Sequence, residues 1–214
     1  MMKHTESKGY DFKWAFLVLL ALAFQKGWGE EHPNLPDATD PQSDMSISTT
    51  KHYVETNNPL VAQCLALFER KQYQKFLQCA IPWANQGHPV FQNDLGLMYE
   101  QGLGVPQDYG KALHLFKQAA DQGVAIAQVN LGLMYMRGLG VPQDYGKALH
   151  LLKQAADQGF AAAQYNIGGM YMRGVGVPQD HGKAYYWYKQ AADQGLPQAV
   201  QAIKDLQQQY KNTQ

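Results

Sequence analysis

Four groupings in this chain have residue types and spacings that could do chemistry. Ser48-Thr-Thr-Lys51 has the Ser-x-x-Lys spacing with which penicillin-recognising enzymes set a lysine beside a serine nucleophile. That chemistry also needs a Ser-Asp-Asn and a Lys-Thr-Gly triplet, and neither occurs, so the match reads as coincidence. Gly138-Leu-Gly140 and its copies at Gly102 and Gly174 have the glycine spacing of a phosphate-binding turn. A nucleotide fingerprint requires a preceding strand and a third glycine, and a helical pattern precedes each copy. His114 and His150 lie 36 residues apart without a second ligand at metal spacing, so they read as surface residues. Cys64 and Cys79 are the only thiols. No nucleophile–base pair, carboxylate dyad or metal cluster is visible, which argues against an enzyme and against a cofactor.

Bulk composition narrows the partner class. Lys+Arg 18 balances Asp+Glu 18, and there is no basic run, so nothing draws in nucleic acid or an anionic membrane. A protein or peptide partner is the expectation that remains.

The elements that position these residues repeat. Gly-Leu/Val-Gly-Val-Pro-Gln-Asp occurs at 102–108, 138–144 and 174–180, and glycines at 87, 123, 159 and 195 close units 88–123, 124–159 and 160–195. A fixed period of this size marks a stacked-repeat architecture. In the middle unit, Ala127, Leu131, Met134 and Tyr135 share one face of a predicted helix over Ala125–Arg137. A second helix is predicted from Asp144 to Gln158, with Ala148, Leu152, Ala155 and Ala156 inward. Between them, Gly138 and Gly140 supply left-handed backbone, which costs other residues about 1–2 kcal/mol. Val141 plugs the loop, Pro142 stops the first helix and Asp144 caps the second.

The order Ala127-x-x-x-Leu131-Gly132-x-x-Tyr135, Gly138-x-Gly-Val141-x-x-Asp144, Lys147-Ala148 and Lys153-x-Ala-Ala156-x-x-Gly159 resembles the Sel1-like repeat, a relative of the tetratricopeptide repeat with a longer inter-helix loop. The resemblance covers residues 88–195 and all three units. Phe91 departs from the small residue the pattern has at that position, and Gly110, Gly146 and Gly182 stand where a better helix former is usual. It implies an all-α, α/α superhelical solenoid of antiparallel helix pairs.

Residues 59–87 align 36 residues upstream as a worn copy. A short turn near Lys71-Gln72 replaces the glycine loop, and Pro82 inside its second helix should kink it. Cys64 and Cys79 fall one on each helix, leaving two readings: a disulfide, or two small buried hydrophobes. Residues 196–214, opening with Pro197 and carrying Ala199, Ala202, Ile203 and Leu206, read as a capping helix and tail.

Upstream, Lys3, Lys8 and Lys13 precede the apolar run Trp14–Phe24, too short to span a bilayer and suited to a signal-peptide core. Cleavage after Gly29 or Ala23 is expected, giving a leader over 1–29 and a periplasmic or secreted protein. An uncleaved anchor is the alternative, and would be its only membrane contact. Residues 30–58, rich in Pro, Asp, Ser and Thr, read as a flexible linker.

The tetratricopeptide resemblance implies that the first helix of each unit lines a groove. The expected groove residues include Asn93, Asp94 and Glu100, then Val129, Asn130, Met136 and Arg137, then Tyr165, Asn166, Met172 and Arg173. These positions change from unit to unit while loop and packing residues stay constant, which predicts a surface not used for stacking. The groove would be acidic at Asp94 and Glu100 and basic at Arg137 and Arg173. Asn130 and Asn166 would hold a peptide backbone, and the arginines a carboxylate. The expected function is an exported, non-catalytic adaptor, with an intracellular scaffold as the alternative should the leader be misread. Cysteine-rich relatives described as β-lactamases are the catalytic alternative, but they carry a cysteine pair in every repeat and residues 88–195 contain none.

Overall fold

The computed structural model describes residues 59–212. The leader, the linker and Ser48–Lys51 lie outside the described residues. Within them the chain forms α-helices only: α1 (Pro59–Glu69), α2 (Tyr73–Asn85), α3 (Pro89–Gln101), α4 (Tyr109–Asp121), α5 (Ala125–Arg137), α6 (Tyr145–Asp157), α7 (Ala161–Arg173), α8 (His181–Asp193) and α9 (Pro197–Asn212). Consecutive helices pair, and each pair packs on the next, forming a solenoid of stacked helix pairs.

The loop residues act as their chemistry requires. Gly102, Gly138 and Gly174 end α3, α5 and α7 at φ of 70°, 70° and 68°, and their N–H groups bond back to Met98, Met134 and Met170. Asp108, Asp144 and Asp180 accept the backbone N–H of Lys111, Lys147 and Lys183 at 3.0, 2.9 and 2.9 Å. These caps sit on extended backbone one residue before each helix, so α6 begins at Tyr145 and not at Asp144. The capping bond holds each aspartate below the usual carboxylate range. The same lysines place their ammonium groups 5.0, 5.3 and 5.3 Å from the rings of Tyr99, Tyr135 and Tyr171.

The second loop glycine has a further duty that joins units. A Cβ on Gly140 would lie 2.7 Å from the carbonyl oxygen of Tyr109, the first residue of α4 in the preceding unit. Gly104 packs in the same way on Tyr73 and Gly176 on Tyr145. Each loop therefore rests on the start of the previous unit's second helix.

The core follows the predicted alanine pattern. Ala148, Leu152 and Ala155 are fully buried and Ala156 nearly so. Gly96, Gly132 and Gly168 on the first helices leave room for Phe116, Leu152 and Tyr188 on the second. In the worn hairpin Lys71 makes the turn at φ 56°, and α2 runs through Pro82. Phe76 of α2 and Phe91 of α3 are fully buried where this hairpin meets the first repeat, with the Trp83 ring stacked 6.0 Å from Phe91. A disulfide joins Cys64 and Cys79 across α1 and α2, with Cα atoms 5.8 Å apart.

Candidate functional site

The row of first helices α3, α5 and α7 carries all eleven predicted groove residues, and the structure divides them. Asn93, Asp94, Val129, Asn130 and Met136 are buried, while Glu100, Arg137, Tyr165, Asn166, Met172 and Arg173 are half-buried. The expectation that variable positions mark a surface unused for stacking is corrected at the buried five. Val129 and Met136 join the core cluster that includes Ala163, Ile167 and Met170 of α7. Asn130 Nδ2 donates to Asn93 Oδ1 at 2.9 Å, a side-chain bond between neighbouring repeats. These residues vary because stacked helices need only complementary neighbours, and several pairs of side chains satisfy that.

Both asparagines predicted to hold a peptide backbone donate within the protein. Asn130 bonds Asn93, and Asn166 Nδ2 donates to the Ala162 carbonyl one turn earlier, at 2.8 Å. The acidic end of the row is also weaker than its formal charge. Burial raises the Asp94 carboxyl to about 7, against a smaller lowering by the Asn93 amide, which donates to Oδ1 at 3.3 Å. Near neutral pH much of that charge is absent.

The basic end differs. The Arg137 and Arg173 side chains stand at the C-terminal ends of α5 and α7, where a cation opposes the partial negative charge of the helix end. Around Arg173 sit Tyr188, Tyr165 and Tyr145, and burial lowers the guanidinium's proton affinity. The Tyr165 and Tyr188 rings lie 5.4 Å apart. Burial pushes the Tyr188 hydroxyl up to about 12 and raises Tyr165 as well, so the cation lies beside two neutral phenols.

Some organising contacts escaped the sequence reading. Gln122, Gln158 and Gln194, just past each second helix, donate to Gln92, Gln128 and Gln164 at 2.8, 2.9 and 2.8 Å. Each bond ties the end of a unit to the start of its own first helix. The exact 36-residue recurrence of both glutamines was the available signal. The aromatic run Tyr185–Tyr188 is divided by its helix: Tyr188 is buried, Trp187 packs on the core and Tyr186 is exposed. His114 and His150 are exposed, and no group of three metal-ligating side chains occurs among the described residues. No described helix is long and apolar enough to cross a membrane.

Stacked helix pairs, with the first helices aligned in a row, define a helical-repeat protein as the class to which this chain belongs. The Sel1 repeat model matches residues 89–124, 125–160 and 161–196, just over half of the 214 residues. The chain belongs to the Sel1 repeat family, whose repeats in general form non-catalytic scaffolds for protein–protein interaction. It is similar to the crystal structure of a Sel1 repeat protein from Oxalobacter formigenes, with 33% identity, a TM-score of 0.62, and 66% of this chain matched to 58% of that one. It is also similar to c5321, a protective antigen of uropathogenic Escherichia coli with the same kind of repeat fold, at 33% identity and a TM-score of 0.60. That match covers 72% of this chain and 34% of the antigen, so the chain spans little more than half of the first structure and a third of the second. No curated protein matches the chain.

Proposed function

We propose that the protein is an exported, non-catalytic adaptor that binds a peptide segment of a partner protein along the first-helix row, at its C-terminal end. The observation that supports this most is the uneven burial of the row. Arg137, Tyr165, Asn166, Met172 and Arg173 stay half-open and include two cations, while Asn93, Asp94 and Asn130 are closed and engaged with one another. A surface of aromatic, methionine and arginine side chains has the composition of binding hot spots. Export is supported by the Lys-then-apolar leader and by the Cys64–Cys79 disulfide, a bond that persists in oxidising compartments.

A crosslinking pull-down tests this reading by comparing the wild-type chain with Arg137→Glu/Arg173→Glu. The expected result is loss of the captured partner with the helical content unchanged. An unchanged partner set removes the groove reading. N-terminal sequencing of protein from the periplasmic fraction tests export, and a chain beginning at Met1 counts against a cleaved leader.

A further inference from the structure

The three units differ sharply at one place on the first-helix row. Leu97 and Leu133 occupy equivalent positions and are buried in core clusters, but the third unit has Gly169 there. The Arg173 side chain folds into the volume a leucine would take. A Cβ on Gly169 would lie 3.4 Å from Arg173 Nη2 and 3.7 Å from the Tyr188 hydroxyl. The same unit replaces Asn93 and Val129 by Tyr165, and Phe116 and Leu152 by Tyr188. Three substitutions in one repeat thus converge on one guanidinium.

That guanidinium has one unmatched donor. Its Nε is buried without a hydrogen-bond partner, and among the described residues no carboxylate forms an ion pair with it. The surrounding phenols are neutral at physiological pH, since burial raises both Tyr165 and Tyr188. Asp205 on α9 acts on Tyr165, and its Oδ1 is already engaged by Gln201 Nε2 at 2.8 Å. A buried donor on a cation with no acceptor is costly, so the site favours an incoming acceptor.

We infer that the third repeat carries a receptor for one carboxylate group of a bound peptide, formed by the Arg173 guanidinium, which occupies the space that Gly169 leaves, and the Tyr188 hydroxyl beside it. The planar guanidinium fork matches the two oxygens of a carboxylate, and the hydroxyl adds a donor beside it. One positive charge among neutral rings balances a monoanion, whereas a phosphate dianion would leave an uncompensated charge in a half-buried site. Arg137 does not share this arrangement, because Leu133 fills the corresponding space. The inference rests on the groove reading for its peptide and supplies the chemistry of one subsite.

The chain holds three arginines, Arg70, Arg137 and Arg173, so its arginine Nε–H resonances form a set of three with two internal controls. Titrating the full-length labelled protein with N-acetyl-alanine, N-acetyl-aspartic acid α-amide, N-acetyl-alaninamide and inorganic phosphate reads the site directly. The Arg173 signal should shift and saturate with the two acids, stay fixed with the amide, and respond more weakly to phosphate. Arg70 and Arg137 should not saturate. Whichever acid saturates first identifies a chain terminus or an acidic side chain as the source.

Gly169→Leu, which installs the residue of the other two units, should weaken the response about tenfold or more, the loss expected when a charge-assisted bond is removed. Arg173→Gln, which installs the residue found at Gln101, should abolish binding of the acid seen by the remaining backbone resonances of α7. If either variant fails to fold, the wild-type titration alone decides. No saturable shift at Arg173, tighter binding of phosphate than of both acids, or full retention in a folded Gly169→Leu overturns the inference. Saturation by the acids with an unchanged pull-down would remove the groove reading and leave the receptor standing. Loss of the partner without an acid response would do the reverse.

Discussion

The two ends of the first-helix row solve different problems with the same repeat. On α3, Asn93 and Asp94 bond to each other and Asn93 accepts from Asn130 of the next unit, so the polar groups are spent on stacking. Behind α3 stands a hairpin closed by the Cys64–Cys79 bond. On α7, the corresponding positions hold Tyr165 and Asn166, Gly169 opens a gap, and Arg173 enters it with its Nε unpaired. Position in a repeat therefore does not assign a role. What decides is whether the neighbours across the helix pair leave the side chain a partner inside the protein.

The largest expected effect lies at the closed end. Cys64→Ser should cost about 3 kcal/mol in the loop-entropy account, because the bond closes a separation of 15 residues. Denaturant unfolding measures the loss, and hydrogen exchange should place it in α1 and α2, leaving α7 protected. Equal deprotection of α7 would show that the two ends are not separable.

Asp94→Asn should come next, making α3 resemble the other units, which carry Asn130 and Asn166 at this position. The folded-state value of about 7 lies above that of an unfolded aspartate. The native protein therefore holds a proton that the unfolded chain releases, and stability is greatest at low pH and falls as pH rises from about 4 to 7. The substitution should remove that fall and stabilise the protein at pH 8 by at least about 1 kcal/mol, on the order expected for a buried charge relieved. Thermal melts across pH 4 to 8 check it, and an unchanged slope would place the titration elsewhere.

A third comparison concerns the helix-facing glycines. An added Cβ on Gly168 would meet the Tyr188 ring at 2.6 Å, whereas on Gly132 it would meet the Ala148 carbonyl at 3.3 Å and Leu152 at 3.4 Å. Gly168→Ala should cost about 1–3 kcal/mol from overpacking. Gly132→Ala should be near neutral, since alanine's helix preference returns about 1 kcal/mol. Chemical unfolding of the pair reads the contrast, and equal costs would mean that the tyrosine does not pack more tightly than the leucine.

The smallest effect belongs to the caps. Asp180→Ala should lower stability slightly at neutral pH and not at all in strong acid. The capping bond depresses the folded-state value, so its contribution is present above the usual carboxylate range and lost as pH falls through it. This acid limb runs opposite to that of Asp94, and melts of the two single variants separate them.

Much of the architecture was written in local chemistry. The glycine loop, the aspartate cap, the alanine faces and the span Ala125–Arg137 each follow from properties of one residue and its near neighbours, and three copies repeat them. Those statements needed no knowledge of what packs on what. The reason is physical: φ sign, a cap's acceptor and a helical stripe are determined within a few residues of chain.

The candidate site was legible only in part. The sequence placed Arg137 and Arg173 on equivalent positions and could not tell them apart. Their difference depends on the residue one turn earlier on the same helix, Leu133 against Gly169, and on the facing helix, Leu152 against Tyr188. Likewise, the variation at Asn93, Val129 and Tyr165 looked like one surface. The tertiary structure made it a hydrogen-bond partner, a core residue and one wall of an arginine pocket. Burial, partnering and a carboxyl's proton affinity are sums over neighbours distant in sequence, so only the packed helices decided them.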